Sequence, residues 1–264
     1  MRLAVLGDIH GFFGKAAKLL TSYQEAKRLK IDYALQVGDL MPNRNAIDME
    51  FSAAFEKKYR YPGDFGQYDS GELLFPCPLL FIGGNHDPYN WLDDYPGGGW
   101  LNDWLYYFGR ATSTEHEGLN ICAISGIWHP KKSLATERAL MPATHTAADR
   151  KAFTYSVQGE VEALIEEEKT DIPCDILLLH DWPAGLDKRP FVGSPLNREA
   201  ILAIKPKRTF CGHMHKHFAG RLGGHSVVCL NAVMAPGDDM HPDGGASMFV
   251  FDTEDGGSGE VWAG

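Results

Sequence analysis

Five short apolar runs along the chain share one pattern, because each stops at a glycine or a histidine and polar side chains follow at once. The central run is Leu79-Leu80-Phe81-Ile82, which is followed by Gly83-Gly84-Asn85-His86-Asp87. A parallel strand covered on both faces reads as continuous apolar sequence, and ligands of open α/β sheets bind beyond the carboxyl ends of such strands. The pattern therefore predicts buried strands whose ends build a functional site.

The other four runs deliver a similar set of side chains. They cover residues 3–6, 33–37, 176–179 and 209–211 and lead into Gly7-Asp8-Ile9-His10, Gly38-Asp39, His180-Asp181 and Gly212-His213-Met214-His215. We expect the five strands to converge on one group of aspartate, asparagine and histidine side chains.

Helical periodicity separates the predicted strands. Residues 15–29 have apolar side chains at 16, 19, 20, 23, 26 and 29, which is the spacing of a helix that covers one face of a sheet. Further helices are predicted over 45–59, 157–169 and 197–204, the last with Ser194 as a cap and Pro195 in the first turn. Residues 61–71, rich in glycine, tyrosine and aspartate, are predicted to be a surface loop. The alternation of strands and helices indicates an α/β fold.

The second half of the chain is less regular. Strands are predicted at 119–127, 226–231, 246–252 and 260–262. The stretch Trp128 to Phe153 has no clear period and holds basic residues and two histidines, and a loop of this length is typically functional or mobile. We interpret the aromatic segment from Pro88 to Gly109 mainly as part of the hydrophobic core. The second interpretation is that its rings line one side of a binding site for a flat substrate group.

Composition narrows the class of protein. The chain has 264 residues and a formal net charge of −10, which argues against binding nucleic acid by bulk attraction to phosphates. None of the five cysteines forms a CxxC pair, so we interpret them as core thiols of a reducing, cytoplasmic environment. No leader and no membrane-spanning run is evident, and no linker divides the chain. We therefore expect one cytoplasmic domain over residues 1–264.

The polar side chains at the strand ends suit divalent metal ions. Carboxylate, imidazole and amide oxygen bind manganese, iron, zinc or cobalt. The candidate ligands are Asp8, His10, Asp39, Asn85, His180, His213 and His215. They are too many for one tetrahedral ion but suitable for two, and either Asp8 or Asp39 could bridge the pair. A lone Asp-x-His or His-x-His is more often structural, but five such endings in one chain favour a dinuclear centre.

These blocks resemble those of the calcineurin-like metallophosphoesterase superfamily in both order and content. The resemblance implies a four-layer α/β/β/α sandwich, in which two mixed sheets pack face to face with helices outside. It implies that Asp8, His10 and His215 hold one ion, that Asn85, His180 and His213 hold the other, and that Asp39 bridges them. It also implies that His86 donates a proton or a hydrogen bond at the phosphate and that Asp87 orients His86.

A closer likeness extends through most of the chain. Blocks such as 81–86, 98–100, 106–109, 124–127, 180–183 and 193–195 are similar to those of RNA lariat debranching enzymes. The stretch 125–155 would then correspond to that family's substrate-recognition loop. The chain differs from that family at Asp8, where the family has cysteine, and at Asp87, where it has glutamate, and it lacks the C-terminal extension of the eukaryotic members.

The resulting functional prediction is a metal-dependent phosphodiesterase. Its expected cofactors are two divalent ions, manganese first and iron, zinc, cobalt or nickel as alternatives, with a bridging hydroxide as the nucleophile. The expected substrate is a nucleotide or a short or branched RNA, with no duplex nucleic acid and no membrane as partner. The alternatives are a phosphomonoesterase or protein phosphatase, a cyclic-nucleotide phosphodiesterase and, as a distant third, a binding protein without activity.

Overall fold

The computed structural model describes residues 1–169, 172–187, 189, 192–234, 247–254 and 258–262. In chain order its strands are β1 (Arg2–Leu6), β2 (Tyr33–Gln36), β3 (Leu79–Phe81), β4 (Gly99–Asn102), β5 (Leu105–Tyr107), β6 (Ala111–His116), β7 (Leu119–Ile124), β8 (Ile176–Leu179), β9 (Arg208–Cys211), β10 (Phe218–Leu222), β11 (His225–Cys229), β12 (Met248–Asp252) and β13 (Gly259–Trp262). Its α-helices are α1 (Phe13–Lys27), α2 (Ala46–Ser52), α3 (Phe65–Asp69), α4 (Tyr89–Leu92), α5 (Ala147–Ala152), α6 (Gln158–Glu167) and α7 (Pro195–Ile204).

The strands form two mixed sheets, in the orders β13-β12-β1-β2-β3-β5-β4 and β10-β11-β9-β8-β7-β6. Strands β1, β2, β3 and β5 are parallel in the first sheet, and β7, β8, β9 and β11 are parallel in the second. Antiparallel strands complete both edges. All five strands predicted to carry site residues belong to the parallel parts, so their carboxyl ends meet along one edge of each sheet.

Both faces of the parallel strands are buried, which explains their unbroken apolar sequence. In β1, Leu3 and Val5 pack between the two sheets, whereas Ala4 and Leu6 pack toward the helices. In β8, Ile176 and Leu178 pack between the two sheets, whereas Leu177 and Leu179 pack under α6 and α7. Three apolar layers therefore separate four layers of structure, and the predicted α/β/β/α sandwich is confirmed.

Helix α1 receives its cap from a distant part of the chain. The carboxylate of Asp64 accepts hydrogen bonds from the backbone N–H of Phe13 at 2.6 Å and of Gly14 at 2.9 Å. These are two of the donors that a helix leaves unsatisfied at its start. The prediction of a plain surface loop over 61–71 is wrong, because this segment contains α3, whose Phe65 and Tyr68 are buried against Phe13.

The predicted helix over 45–59 is also shorter than expected. Asn45 caps α2, which ends at Ser52, and a separate 3-10 turn follows at Lys57–Tyr59. In a continuous helix the carbonyl of Ser52 would accept from the backbone four residues later. Here that carbonyl lies 2.7 Å from the Nδ1 of His86 instead. The helix ends where its last carbonyl turns toward the functional site.

Other differences follow from weak local signals. The predicted strand at 119–127 ends at Ile124, and β6 was not predicted because it is a polar edge strand, Ala-Thr-Ser-Thr-Glu-His. The stretch 128–153 is largely irregular but ends in α5, which Thr146 caps.

The predicted strand 246–252 corresponds to β12, and its first residue, Ala246, lies outside the described residues. The predicted cap of α7 is confirmed, since the side chain of Ser194 accepts from Asn197 N–H. Organisation as a single domain stays a prediction.

Candidate metal centre

The carboxyl ends of the parallel strands bring the predicted ligands into two groups. The first cluster is Asp8, His10 and His215, and the second cluster is Asp39, His180 and His213. Within each cluster, one ligand atom from every residue lies within 4.8 Å of the others. The family resemblance implies the same division of the histidines, with Asn85 in the second set and Asp39 between the two, and these ligand roles stay a prediction.

In the first cluster, imidazole nitrogens and a carboxylate converge. The Nε2 atoms of His10 and His215 lie 2.9 Å apart, and His215 Nε2 lies 3.2 Å from Asp8 Oδ2. Asp8 and His10 are buried, whereas His215 is partly exposed. Two nitrogens that face each other at this distance, next to a carboxylate, present electron pairs to one shared point, as the ligands of a divalent cation do.

The second cluster is built around His180. Its Nε2 lies 3.4 Å from Asp39 Oδ2 and 3.2 Å from the side-chain oxygen of Asn85. Its Nδ1 lies 2.8 Å from the carbonyl oxygen of Val37, which fixes the ring so that Nε2 faces the cluster. A backbone acceptor on the far nitrogen is the usual way in which a protein orients a metal-binding histidine. Asn85 thus lies beside the second cluster, and its role as a ligand stays a prediction.

Backbone hydrogen bonds tie the two clusters together. The N–H of His213, from the second cluster, donates to both carboxylate oxygens of Asp8 at 3.1 Å. The N–H of His10, from the first cluster, donates to the carbonyl of Asp39 at 2.8 Å. Each cluster therefore fixes a loop of the other, and the two form one centre.

The backbone at the ligands is strained. The φ angles of His10, Asp39, His213 and His215 are 48°, 57°, 66° and 45°, all in the left-handed region that residues other than glycine rarely adopt. Each such conformation costs about 1–3 kcal/mol and persists only where the surrounding structure enforces it. The concentration of four in two clusters indicates that ligand direction takes precedence over backbone preference.

Glycines permit the close approach of these loops. A Cβ at Gly84 would collide with the Asp39 carboxylate and would lie 2.6 Å from the His180 ring, and a Cβ at Gly212 would collide with Asp8. The glycines that end the predicted strands are therefore required by the packing of the ligands.

Charges in the centre are coupled. Burial lowers the pKa of His10 to about 3, although the Asp39 and Asp8 carboxylates oppose this change. Burial also disfavours the charged form of His180, but the Asp39 carboxylate outweighs it and raises the pKa of His180 to about 10. Asp39 thus acts electrostatically on a histidine of each cluster.

His86 lies beside the clusters and is fixed from three sides. Its Nδ1 faces the Ser52 carbonyl, its backbone N–H donates to Asp39 Oδ1 at 2.6 Å, and its ring stacks on Tyr59 with centroids 3.7 Å apart. The ring centroid of His86 is 5.6 Å from that of His10. Burial lowers the pKa of His86. The residue is placed to act on a group held at the centre without belonging to either cluster.

Asp87 contacts the loop that carries Asp39. Its carboxylate accepts backbone N–H groups of Asp39 at 2.8 Å, Met41 at 2.6 Å and Gly84 at 2.6 Å. Burial and the neighbouring Asp39 charge raise the pKa of Asp87 to about 7. The expected role of Asp87 in orienting His86 stays a prediction. Asp87 holds the loop that carries Asp39, and the Ser52 carbonyl contacts the His86 ring.

The aromatic surroundings of the site were not predicted. Trp91 and Tyr107 are buried in the core, and Trp104 lies at the amino end of the sheet, where its carbonyl accepts from Leu79. The rings that surround His86 come instead from the chain just after α2. Tyr59 stacks on it, and Phe55 is 6.3 Å away. The pattern Phe55-Glu-Lys-Lys-Tyr59 carries no sequence signal beyond helical spacing.

The loop 128–153 borders this site. Trp128 N–H donates to Asp181, the residue after His180, at 3.0 Å. The ring of His129 packs on Tyr155, which in turn packs on Phe55. Among the basic residues that could reach a phosphate, Lys132 is exposed on this loop, whereas Arg189 pairs with Asp187 and Arg198 donates to the Ala184 carbonyl.

Comparison with known proteins agrees with this geometry. A family model described as calcineurin-like phosphoesterase matches residues 1–217. Lariat debranching enzyme A of Xenopus laevis is 32% identical over 238 residues, covering 83% of this chain and 43% of that protein. The lariat debranching enzyme of Schizosaccharomyces pombe is 30% identical over 237 residues, and the match covers 83% of this chain and 49% of the yeast protein. The chain therefore spans about half the length of the curated relatives it matches.

A solved structure shares the fold. It superposes with a TM-score of 0.56 at 15% sequence identity, and the superposition covers 99% of this chain and 98% of the chain in that structure. In the part of the chain that the structure describes, no helix is long and apolar enough to cross a membrane.

Proposed function

Because this chain belongs to the calcineurin-like phosphoesterase family, we propose that it hydrolyses a phosphodiester bond with the help of two divalent ions. The observation that carries the proposal is the pair of ligand clusters, joined by hydrogen bonds from His213 to Asp8 and from His10 to Asp39. The mixture of carboxylate, imidazole and amide ligands fits divalent ions, of which manganese is our first choice and iron, zinc, cobalt and nickel are alternatives.

The ligand roles follow from the clusters. Asp8, His10 and His215 would hold one ion, and His180, His213 and Asn85 would hold the other. Asp39 would be the shared carboxylate, because its charge acts on His10 and on His180 more strongly than that of Asp8 does. When bound, two such ions activate water as a nucleophile and neutralise the phosphoryl oxygens.

His86 is the proposed proton donor. A leaving alkoxide needs a proton, and a positioned imidazole contributes typically 10²–10⁴-fold to such a step. Because Nδ1–H is directed at the Ser52 carbonyl, Nε2 of His86 can give a proton to the leaving oxygen only from the imidazolium form, which the Asp39 carboxylate and the Ser52 carbonyl favour and burial opposes. Tyr59 limits rotation of the ring by stacking on it. Asp87 supports the step indirectly by holding the Asp39 loop.

The proposed substrate is a nucleotide or a short or branched RNA. Curated relatives are named lariat debranching enzymes. In this chain, Phe55, Tyr155 and the loop 128–153 form the side of the site next to His86, where bases could stack for about 1–3 kcal/mol each. The net charge of −10 limits the number of phosphates that the rest of the surface can hold, so duplex is excluded from the proposal.

The same proposal includes the cellular setting. All five cysteines are free and buried, which fits a reducing compartment, and we place the protein in the cytoplasm as a single domain.

A substrate panel tests the function. Manganese-loaded protein is expected to cleave an aryl phosphodiester faster than the matching aryl phosphomonoester and to cleave a 2′,5′-linked dinucleotide, and a chelator is expected to abolish both activities. A preference of about tenfold for the monoester would replace the proposal with the phosphatase alternative. Hydrolysis of a 3′,5′-cyclic nucleotide alone would point to the cyclic-nucleotide phosphodiesterases.

The loop is tested by point variants. Deleting it would remove Arg138, which binds Glu160 of α6 at 2.6 Å and stabilises the fold. The exposed pair Lys131→Ala/Lys132→Ala is expected to raise KM for the dinucleotide and to leave the aryl diester unchanged. The matched control is Lys15→Ala/Lys18→Ala on the exposed face of α1. Equal effects on both substrates would exclude a role of these lysines in substrate recognition.

A further inference from the structure

A second group of metal-binding side chains lies far from the candidate centre, under helix α6. It consists of Cys122 in β7, Cys174 just before β8, and Glu168 just after α6. One ligand atom of each residue lies within 4.8 Å of the others, and both cysteines are buried. Cys174 precedes the first residue of β8, whereas the candidate centre follows the last, so the two places lie toward opposite ends of that strand.

The ligand types select a particular class of ion. Two sulfurs and one carboxylate oxygen are soft to borderline donors, which suit zinc better than magnesium, calcium or manganese. Two thiolates on a tetrahedral zinc ion lie about 3.8 Å apart, given Zn–S bonds of about 2.3 Å. The spacing of the cluster requires only small side-chain movements to reach that geometry.

The surroundings support a cation as well. A cavity of about 490 Å³ adjoins Glu168 and is also lined by Glu115, Glu167 and Asp175, of which Asp175 is paired with Lys207. Lys207 also lines this cavity and the two cysteines do not, so Glu168 is the residue that the cavity shares with the cluster. The Asn120 side chain donates to Glu168 Oε2 at 3.1 Å, which holds the carboxylate as outer partners of metal sites do.

We propose that Cys122, Cys174 and Glu168 form a zinc site that fastens the end of α6 to strands β7 and β8. Binding displaces the protons of both thiols, because only the thiolate is a ligand. The fastened helix matters to the rest of the molecule, since Glu160 in α6 anchors Arg138 of the loop 128–153. The site is independent of the proposed hydrolysis, which uses no sulfur ligand.

Cobalt(II) tests the site without reference to activity. Metal-free protein titrated with Co²⁺ is expected to develop a sulfur-to-cobalt charge-transfer band, which the nitrogen and oxygen ligands of the candidate centre cannot produce. Zinc is expected to displace the cobalt and remove the band. Absence of the band from the wild-type protein would overturn the proposal, as would a Cys122–Cys174 disulfide found by mass spectrometry in the purified chain.

Variants locate the band. Cys122→Ser and Cys174→Ser are each expected to abolish it, whereas Cys229→Ser is expected to keep it. Cys229 is a matched control, because it is buried and its sulfur lies 3.1 Å from that of Cys211, but no carboxylate joins that pair in a ligand group within the described ranges. A band that survives Cys122→Ser would overturn the proposal.

A conservative change covers the case in which the cysteine variants do not fold. Glu168 is partly exposed, and the variant Glu168→Gln keeps both thiols. It is expected to raise the Co²⁺ concentration at half-saturation of the band by at least about tenfold. An unchanged Co²⁺ concentration at half-saturation would show that Glu168 is not a ligand, and the proposed three-ligand site would then be wrong.

Discussion

The Nδ1 atom of His86 lies 2.7 Å from the carbonyl oxygen of Ser52, the residue at which helix α2 ends. A helix leaves its last carbonyls without partners, and a side chain can satisfy one of them. The same contact therefore completes the helix and leaves Nε2 of the proposed proton donor as the nitrogen available to the substrate. This relationship makes His86 the first residue to test.

His86→Ala is expected to keep both ions and lower kcat by about a hundredfold or more, as the loss of a general acid does. Metal analysis and steady-state kinetics on the same preparation measure the two effects. His180→Ala is the contrasting variant and is expected to lose metal. If His86→Ala lost its ions while the rate per bound ion stayed normal, His86 would be a ligand, and His129 would become the candidate acid.

Asp39→Asn is expected to lose both metal content and turnover. The neutral amide no longer supplies the negative charge that acts on His10 in one cluster and on His180 in the other. Inductively coupled plasma analysis after dialysis measures the ions. Asp103→Asn, an exposed aspartate far along the chain, is the matched control. Two tightly retained ions and near-normal hydrolysis in Asp39→Asn would assign the shared carboxylate to Asp8.

Tyr59→Ala is expected to lower kcat by about tenfold with little change in metal content, because the ring that limits rotation of His86 is gone. Tyr59→Phe keeps the ring and is expected to retain most of the activity. Equal losses in the two variants would show that the stacked ring has no part in positioning His86.

Gly84→Ala is expected to reduce metal affinity strongly, since the added Cβ would collide with Asp39 and crowd His180. Gly97→Ala is the control, because a Cβ there meets nothing within 4 Å. Metal titration and thermal unfolding of both variants separate a local effect from a global one. Wild-type affinity in Gly84→Ala would show that the loops can separate without loss of the centre.

Asp64→Ala is expected to lower the free energy of unfolding by about 1–2 kcal/mol, because the first turn of α1 loses its cap. Urea denaturation measures the change. Asp69→Ala, an exposed aspartate in α3, is expected to have a much smaller effect. A loss in Asp64→Ala no larger than in Asp69→Ala would show that water replaces the carboxylate at no cost.

The sequence predicted the parallel strands and the ligands because both follow from one physical constraint. A strand buried on two faces must be apolar throughout, so polar residues appear only where it ends, and parallel strands end together. The positions of Asp8, Asp39 and His180 at the strand ends could therefore be predicted from the amino-acid sequence alone. The pairing of Asp8 with residues near 213 came from the family resemblance.

The surroundings of the ligands could not be predicted in this way. The contacts of His86 with Ser52 and Tyr59 depend on where a turn after α2 folds back, and the Asp64 cap depends on a loop 51 residues away in the chain. Neither has a local pattern. Strand β6 was missed for the opposite reason, because an edge strand needs few apolar residues and its threonines and serine resemble a loop.

The position of β1 between β2 and β12 has a consequence for synthesis on the ribosome. One side of β1 pairs with residues 33–36, but its other side stays open until residues 248–252 emerge. Likewise, Asp8 gains its hydrogen bonds from His213 only after some 205 further residues have been made. Contacts this distant along the chain slow folding. The nascent chain therefore carries an apolar strand with an unpaired edge until residues 248–252 have been made, and protection of that edge by a chaperone would favour correct folding.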